Sequence, residues 1–245
     1  MNLPTETDHN PRTVTPSADQ GTAGVLFVAT GPAHVAAARR AAESVRATNP
    51  WLRIAIHSDA EAPGAVFDQH FRIADPHARS KVDALPRTPF ERTLYLDSDV
   101  RVVDDLRDLF RLLETFELAI AHVIRWHKPS YQQSWQHDLP ACFPQHNSGV
   151  MLYRKSPAML ALFEQWRTNF HAAGLKVDQI TLRELLWTSP LRYFVLPPEY
   201  NTRHYTIADR LFSRRPKPRI LHLPEYNPKR RRFGMLRRLL GQPAA

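Results

Sequence analysis

The sequence has little of what marks secreted, membrane-spanning or repetitive proteins. Its single cysteine, Cys142, excludes an internal disulfide framework and fits a reducing compartment such as the cytoplasm. It has no apolar run of about eighteen residues, so we expect no membrane-spanning helix. It has no internal repeat. The first residues are polar and lack the apolar core of a secretory signal, so we predict a disordered leader over residues 1–22.

What is present is a globular composition with unevenly placed charge. The chain has 245 residues, of which 43% are hydrophobic, and this suits a single α/β domain with a sizeable core. The formal net charge is +9, but residues 210–245 hold eleven lysines and arginines and one acid, Glu225. The rest of the chain is nearly neutral. The basic charge therefore belongs to the tail, and we expect no nucleic acid bound across the fold.

The first part of the chain predicts a strand–helix–strand unit. Apolar periodicity indicates strands at 25–30, 52–57 and 71–73 and a helix at 33–48. This order predicts an α/β fold with a mostly parallel central sheet flanked by helices. Ligands of such sheets bind beyond the carboxyl ends of the strands, and Asp59, Asp97 and Asp99 all fall at predicted strand ends.

The second part continues this pattern around one irregular stretch. We predict strands at 118–123 and 193–196 and helices at 104–114, 156–173 and 178–187; residues 147–153 are polar at their start and apolar after it, and 220–223 are the last apolar fragment. Asp104 or Asp105 is expected to cap the first of these helices, and Ser156 and Gly174 are expected to cap the second at its two ends. Residues 125–146 have no period and are rich in aromatic and histidine residues, which favours a functional loop over a surface excursion packed by its own aromatics.

Two carboxylates follow the predicted strand at 92–96. The side chains of Asp97 and Asp99 alternate with Ser98 and can point to the same side of the chain. Two like charges this close at the end of a buried strand need a positive group between them, and a hard divalent cation is one. An acidic turn is the other interpretation.

Five short stretches, taken in order, resemble nucleotide-sugar-dependent glycosyltransferases of the GT-A fold. They read PFERTLYLDSDV, HNSGVMLYR, DQITLRELL, LPPEYNTR and ILHL. The likeness is to the glycogenin-like, family 8 type and its bacterial lipooligosaccharide galactosyltransferase members, and it covers residues 25–223. It implies a single GT-A-like domain, predicted here over residues 23–227, and hexosyltransferase activity. It also implies a nucleotide-diphospho-sugar as donor.

The resemblance implies a metal site. Asp97 and Asp99 match the DxD motif that holds Mn²⁺ or Mg²⁺ on the donor diphosphate, and His222 matches the late histidine that completes it. The match after His222 is incomplete, because the family's following Gly and Lys-Pro are absent. Lys229 is the candidate to replace that lysine as a diphosphate contact.

The resemblance also implies donor-binding and catalytic residues. Thr30 and Gly31 correspond to the nucleotide end of the donor site, and Lys81, with Arg79 as its competitor, to a basic donor contact. The donor sugar would lie along Asn147, Ser148 and Gly149. Asp178 and Gln179 match the pair near the anomeric carbon, although Asp178 also fits a helix N-cap. Asp59 is equally interpreted as a turn residue.

The implied reaction retains anomeric configuration and needs no strong protein base. Asp178 or Gln179 would then stabilise the cationic face of the sugar. An inverting enzyme would need a carboxylate base near the acceptor hydroxyl, and Asp138 in the 125–146 loop is the candidate. The acceptor is expected to be a cell-surface or lipid-linked glycan.

The tail over residues 228–245 mixes arginines with apolar residues. This composition favours binding to an anionic membrane surface, which would place the protein at the inner face of the membrane. A solubilising tail and an RNA-binding arm are the alternatives.

Two other functions fit part of the sequence. A phosphatase of the haloacid dehalogenase type also has an apolar strand ending in Asp-x-Asp, with Asp97 as its nucleophile, but that family usually opens its core domain with this strand. A non-catalytic nucleotide-sugar-binding protein is the third possibility.

Overall fold

The computed structural model describes residues 23–61, 63–125, 127–203, 209, 216–222 and 226–227. The predicted leader and tail, and with them Lys229, lie outside the described residues. Within the described part, no helix is long and apolar enough to cross a bilayer.

The described chain forms nine strands and five α-helices. The strands are β1 (Ala23–Ala29), β2 (Arg53–Ser58), β3 (Gln69–Arg72), β4 (Arg92–Leu96), β5 (Arg101–Val102), β6 (Leu118–His122), β7 (His146–Arg154), β8 (Tyr193–Leu196) and β9 (Ile220–Leu221). The helices are α1 (Pro32–Thr48), α2 (Lys81–Ala84), α3 (Arg107–Arg111), α4 (Pro157–Ala173) and α5 (Gln179–Thr188).

Seven strands form one sheet in the order β3-β2-β1-β4-β7-β6-β8. Strands β3, β2, β1 and β4 are parallel to one another, β7 runs antiparallel to both of its neighbours, and β8 is parallel to β6. This confirms the predicted α/β class and the mostly parallel sheet. The short pair β5-β9 forms a second sheet that brings the residues after β9 beside the end of β4.

The sheet is buried on both faces because its strands alternate between two apolar layers. In β4, Leu94 and Leu96 pack in the layer that contains α1, and Tyr95 packs in the layer that contains α4 and α5. The predicted small-residue face of α1 is buried, which allows this helix to lie close to the sheet. Burying both faces leaves the strand ends as the place where polar side chains collect.

The predicted ends of α4 are confirmed, because each depends on residues that are neighbours in the sequence. Ser156 accepts a hydrogen bond from the backbone N–H of Met159, and Gly174 ends α4 with a φ of 60°, as predicted. The predicted helix over 104–114 is wrong in length and in its cap. The α-helix spans only Arg107–Arg111 and continues as a 3₁₀ turn over Leu112–Glu114.

The late start of α3 has a tertiary cause. The side-chain amide of Asn49, at the end of α1, donates to the carbonyl of Asp104 and accepts from the backbone N–H of Leu106. These bonds hold residues 104–106 outside the helix, so Leu106 takes the N-cap position, and Asp105 accepts instead from the backbone N–H of Arg107, the first helical residue. The sequence around residue 104 gives no sign of a partner this distant in the chain.

Candidate active site

A cleft of about 430 Å³ opens at the carboxyl ends of β1 and β4. Its walls are the end of β1 with Thr30, the segment 77–81 before and into α2, and residues 95–99. This is the edge of the sheet where α/β proteins bind their ligands.

Asp97 is positioned by the pairing of β4 with β7. Its backbone N–H donates to the carbonyl of Gly149 at 2.8 Å, which continues the antiparallel ladder past the end of β4. Its Oδ1 accepts from the hydroxyl of Tyr95 at 2.6 Å and from Nζ of Lys81 at 3.3 Å. Both donors bind the same oxygen, so Oδ2 faces the neighbouring residues Gly149 and His222.

Asp99 is joined to the late part of the chain. Its Oδ1 lies 3.1 Å from Nε2 of His222, and its Oδ2 accepts from the side-chain amide of Asn227 at 2.7 Å. Burial alone would raise the pKa of Asp99. The hydrogen bonds from His222 and Asn227 and the charge of His222 outweigh burial. Together they hold the pKa of Asp99 well below its usual range, so the carboxylate stays ionised.

His222 is held in one orientation. Its side chain is only 4% exposed, and its Nδ1 donates to Oδ1 of Asn201 at 2.9 Å. With Nδ1 donating to Asn201, the other ring nitrogen, Nε2, lies against Asp99, and its hydrogen bond to that carboxylate requires a proton that a bound metal ion would displace. Fixing one ring nitrogen in this way is how proteins orient metal-binding histidines.

Gly149 leaves no room for a side chain. A Cβ at this position would lie 2.6 Å from Oδ2 of Asp97 and 2.9 Å from both Oδ1 of Asn147 and Cε1 of His222. We expected this glycine to let the backbone approach a donor sugar. In the structure the close approach is to the side chains of Asp97 and His222.

Asp97, Asp99 and His222 together form what we call the carboxylate cluster. Their ligand atoms all lie within 4.8 Å of one another. Two carboxylates and one imidazole, with the imidazole oriented by Asn201, fit a divalent cation of the Mn²⁺ or Mg²⁺ type.

Lys81 links the carboxylate cluster to the start of α5. Its Nζ donates to Oγ of Ser148 at 2.9 Å and to the carbonyl of Ser148 at 3.2 Å, besides Asp97. Oδ2 of Asp178 lies 3.5 Å away. Burial lowers the pKa of this amine, but the charges of Asp178 and Asp97 prevail and raise it, so Lys81 remains positive.

Asp178 is almost fully buried and does not cap its helix. Its Oδ2 accepts from Oγ of Ser148 at 2.7 Å, whereas no capping bond from its side chain to α5 forms. Its Oδ1 lies 3.3 Å from Nε of Arg79 without a well-aligned hydrogen bond from the described residues. Burial would raise the pKa of Asp178, and the charges of Lys81 and Arg79 lower it, so this carboxylate is ionised.

The other residues predicted for the donor site lie near these side chains, but only some of them form hydrogen bonds within the site. Thr30 lines the cleft. Gly31 has a φ of 82° and donates its backbone N–H to both oxygens of Asp59, at 2.9 and 3.0 Å, which supports the turn interpretation of Asp59. Asn147 accepts from the N–H of Gly149 at 2.9 Å. Gln179 is the half-buried first residue of α5.

The irregular stretch 125–146 is held by two adjacent buried residues of α5. Oε1 of Glu184 accepts from three successive backbone N–H groups, those of Trp135, Gln136 and His137. The guanidinium of Arg183 donates to backbone carbonyls of the same loop, those of Gln132, Gln133, Leu139, Pro140 and Phe143. Asp138 lies on the exposed side of this loop.

Sequence reasoning missed several supporting residues. Tyr95 shares a strand face with Asp97, two positions on, and this spacing could have identified it. Asn201 lies in the LPPEYNTR stretch, but no role was assigned to it there, and nothing in the local sequence marks Asn227.

Comparison with known proteins supports the fold. No protein-family model and no curated protein sequence matches the chain. Among solved structures, the glycosyltransferase GlyE of Streptococcus pneumoniae TIGR4 is 21% identical with a TM-score of 0.57, over 82% of this chain and 54% of that one. This chain thus spans about half the length of GlyE.

Two further structures cover their proteins more fully. The galactosyltransferase LgtC, solved with donor and acceptor sugar analogues, is 17% identical with a TM-score of 0.57, over 82% of this chain and 87% of that one. Mouse xyloside xylosyltransferase 1 is 17% identical with a TM-score of 0.53, over 81% and 96%. These structural neighbours are glycosyltransferases, and this chain has their GT-A fold, as the five sequence stretches implied.

Proposed function

We propose that this chain, which has the GT-A fold, transfers a sugar from a nucleotide-diphospho-sugar to an acceptor hydroxyl with the help of a divalent cation. One observation carries the proposal. The carboxylate cluster lies on the cleft at the carboxyl ends of the strands, and Lys81 connects it directly to Asp178.

The carboxylate cluster supplies the ligands for the cation. Asp97 through Oδ2, Asp99 and His222 through Nε2 are the residues that would hold Mn²⁺ or Mg²⁺. When bound, the cation supplies Lewis-acid stabilisation of the leaving diphosphate. Tyr95 and Lys81 occupy Oδ1 of Asp97 and so keep Oδ2 directed at the cluster.

Lys81 and Arg79, which the sequence left as competitors, have separate roles in this proposal. Lys81 is buried and positions both Asp97 and Asp178 while remaining positive. The Arg79 side chain is 39% exposed on the cleft wall, which suits it to the phosphates of the donor. Thr30 and Gly31 would face the nucleoside, and Asn147 and Ser148 the sugar.

Asp178 is the residue that we assign to the reacting sugar. Ser148 and Lys81 hold one of its oxygens, and the other has no well-aligned partner among the described residues. A fixed, ionised carboxylate can stabilise the positive charge that develops at the anomeric centre. Together with Gln179 it supports a retaining reaction, and the 125–146 loop is the proposed acceptor side, for a glycan or glycolipid.

A donor panel tests the proposal. The intact chain is incubated with Mn²⁺ and sugar nucleotides of each common base, and release of nucleoside diphosphate is measured. We expect release from at least one donor, and a loss of about 10²–10³-fold in the Asp178→Asn variant. The matched variant Asp108→Asn, which changes an exposed carboxylate on α3 away from the cleft, should keep its activity. No release from any donor would contradict the proposal.

The same assay separates the alternatives. Phosphate release from phosphomonoesters would favour the phosphatase, although three strands precede β4, whereas that family opens with this strand. Binding without turnover would favour a sugar-nucleotide-binding protein. NMR of the product from a turned-over donor gives the stereochemistry at the anomeric carbon. An inverted anomer would favour Asp138 as the general base of an inverting reaction.

The tail over residues 228–245 is proposed to bind anionic membranes on its sequence alone. Co-sedimentation with phosphatidylserine-containing liposomes should be strong for the intact chain and weak for a chain that ends at Pro228. Equal binding of the two would contradict the idea.

A further inference from the structure

A second group of metal-ligating side chains lies beside the cleft and has no part in the proposed sugar transfer. Nε2 of His77 is 2.5 Å from Oδ2 of Asp83, and Nε2 of His171 is 2.7 Å from Oδ1 of the same carboxylate. The ligand atoms of these three residues all lie within 4.8 Å of one another. We call them the histidine cluster.

The fold holds the three ligands from separate directions. His77 precedes α2, Asp83 lies within α2, and His171 lies in the last turn of α4. The ring of His77 stacks against Phe170, with the ring centroids 6.5 Å apart and the planes 20° from parallel. The packing of α2 on α4 therefore brings the ligands together without any contribution from an ion.

The donor set is one that zinc uses. Two imidazole nitrogens and one carboxylate are the protein ligands of many open zinc sites, in which water takes the fourth position. Bonds of about 2.0–2.2 Å in a tetrahedral site place ligand atoms roughly 3.3–3.6 Å apart, so the two nitrogen–oxygen contacts to Asp83 have to open by about 1 Å to admit the ion. The side chain of His171 is 49% exposed, which leaves a path for the ion and its water.

We infer that the histidine cluster is a second divalent-metal site, of the zinc type, separate from the carboxylate cluster. Zinc replaces the two hydrogen bonds to Asp83 with bonds to metal. In each neutral ring, His77 and His171, the proton moves from Nε2 to Nδ1, and for His77 this costs the long 3.3 Å hydrogen bond from the backbone N–H of Arg79. A ring protonated on both nitrogens releases one proton to solvent.

The position of this site gives it a structural consequence. His77 and Asp83 bracket the segment that carries Arg79 and Lys81, and His171 belongs to α4. Bound zinc therefore ties both ends of that segment to α4. Because zinc binds the folded arrangement, it also raises the melting temperature, by an amount that grows with the logarithm of the zinc concentration relative to its Kd.

The test is zinc binding, which does not depend on sugar transfer. Zinc is titrated against the intact chain in competition with a chromophoric chelator. All variants carry Asp99→Ala, which removes the carboxylate cluster as a zinc site. His171→Ala and, separately, Asp83→Asn are compared with His137→Ala, which removes an exposed histidine elsewhere, because the chain has 12 histidines that can bind zinc weakly.

We expect one tight zinc ion in the Asp99→Ala background and in the His137→Ala variant. Loss of His171 or Asp83 should weaken it by more than the roughly 10–100-fold that loss of an outer partner costs. Co²⁺ bound in the same background should give tetrahedral visible absorption that His171→Ala removes. Unchanged zinc affinity in both the His171→Ala and Asp83→Asn variants, or an octahedral Co²⁺ spectrum, would overturn the inference.

Discussion

Asp97 and Asp99 of the carboxylate cluster and His77 of the histidine cluster line the same cleft, and the two clusters contain the same kinds of side chain in opposite proportion. The first has two carboxylates and one imidazole, and its histidine is buried and oriented by Asn201. The second has one carboxylate shared by two imidazoles, and all three side chains are more than a quarter exposed.

The difference in donor atoms and surroundings indicates which metal each of the two sites would favour. An oxygen-rich site favours hard cations such as Mn²⁺ and Mg²⁺, which also bind phosphate oxygens. A nitrogen-rich site favours zinc, which needs no phosphate to complete it. In this proposal the carboxylate cluster binds the cation that contacts the donor diphosphate. The histidine cluster stabilises the neighbouring segment between His77 and Asp83.

The largest expected effect is on the carboxylate cluster itself. Asp99→Ala removes a carboxylate ligand and leaves His222 without its partner at 3.1 Å. Since a bound metal contributes several kcal/mol to stabilising the leaving group, donor turnover should fall by about 10²–10³-fold or more. Initial rates with Mn²⁺ and the best donor measure this. Near-normal turnover would remove the metal from the proposal.

A smaller effect is expected from filling the space beside that cluster. In Gly149→Ala the new Cβ would lie 2.6 Å from Oδ2 of Asp97. We expect Mn²⁺ affinity to fall by about 10–100-fold, as for other disturbances of ligand orientation.

Gly174→Ala is the matched control. Gly174 has a φ of 60° and nothing within 4 Å of the position of a Cβ. This variant should lose about 1 kcal/mol of stability through backbone strain and keep its Mn²⁺ affinity. If both alanine variants bind Mn²⁺ like the parent, the cluster does not hold the ion where we place it.

Removing the hydrogen-bond partner of His222 should weaken metal binding at the carboxylate cluster and leave metal binding at the histidine cluster unchanged. Asn201→Ala deletes the oxygen that accepts from Nδ1 of His222. Mn²⁺ affinity should fall by about tenfold, at the lower end of the range for an outer partner, and zinc binding at the histidine cluster should not change. Isothermal titration with each metal tests this, and an equal loss for both metals would mean that the variant disturbs the whole fold.

The smallest effect concerns a histidine that has no carboxylate partner. His57 is 5% exposed, stacks on Phe71, and faces Arg87 and His70. Burial lowers its pKa from 6.5 to about 4. The unfolded chain therefore takes up a proton below pH 6.5 that the folded chain refuses until about pH 4, so stability falls as the pH drops through that window.

His57→Phe should reduce this acid sensitivity. The ring stack on Phe71 is kept, and the unfavourable protonation is removed. Urea unfolding at pH 7 and pH 5 should show a smaller loss of stability in the variant, by roughly 1–2 kcal/mol. Part of the loss remains, because burial also lowers the pKa of His146 to about 4. The same loss in parent and variant would show that His57 is not the source.

The periodic parts of this fold could be predicted from sequence because local patterns determine them. The small-residue face of α1, the Ser156 cap and the apolar run of β4 each depend on neighbouring residues. The start of α3 could not be predicted, because Asn49, 55 residues away in the chain, holds residues 104–106 outside the helix.

The site divides in the same way. Asp97 and Asp99 were visible as a spaced pair, and Lys81 was placed through the family likeness. The contacts of Asn201 with His222 and of Asn227 with Asp99 were not visible, because they form only after β9 pairs with β5 and the late chain folds over β4. The histidine cluster was missed because its third ligand is 88 residues from Asp83.

The central claim is that the carboxylate cluster binds its cation together with a diphosphate. The direct test is Mn²⁺ affinity of the intact chain, measured by titration calorimetry alone and with saturating UDP, GDP, ADP or CDP. We predict that at least one nucleoside diphosphate raises the Mn²⁺ affinity tenfold or more, that Mn²⁺ raises the affinity for that nucleotide by the same factor, and that Asp99→Ala abolishes both effects. Mn²⁺ affinity that no nucleotide changes would contradict the account.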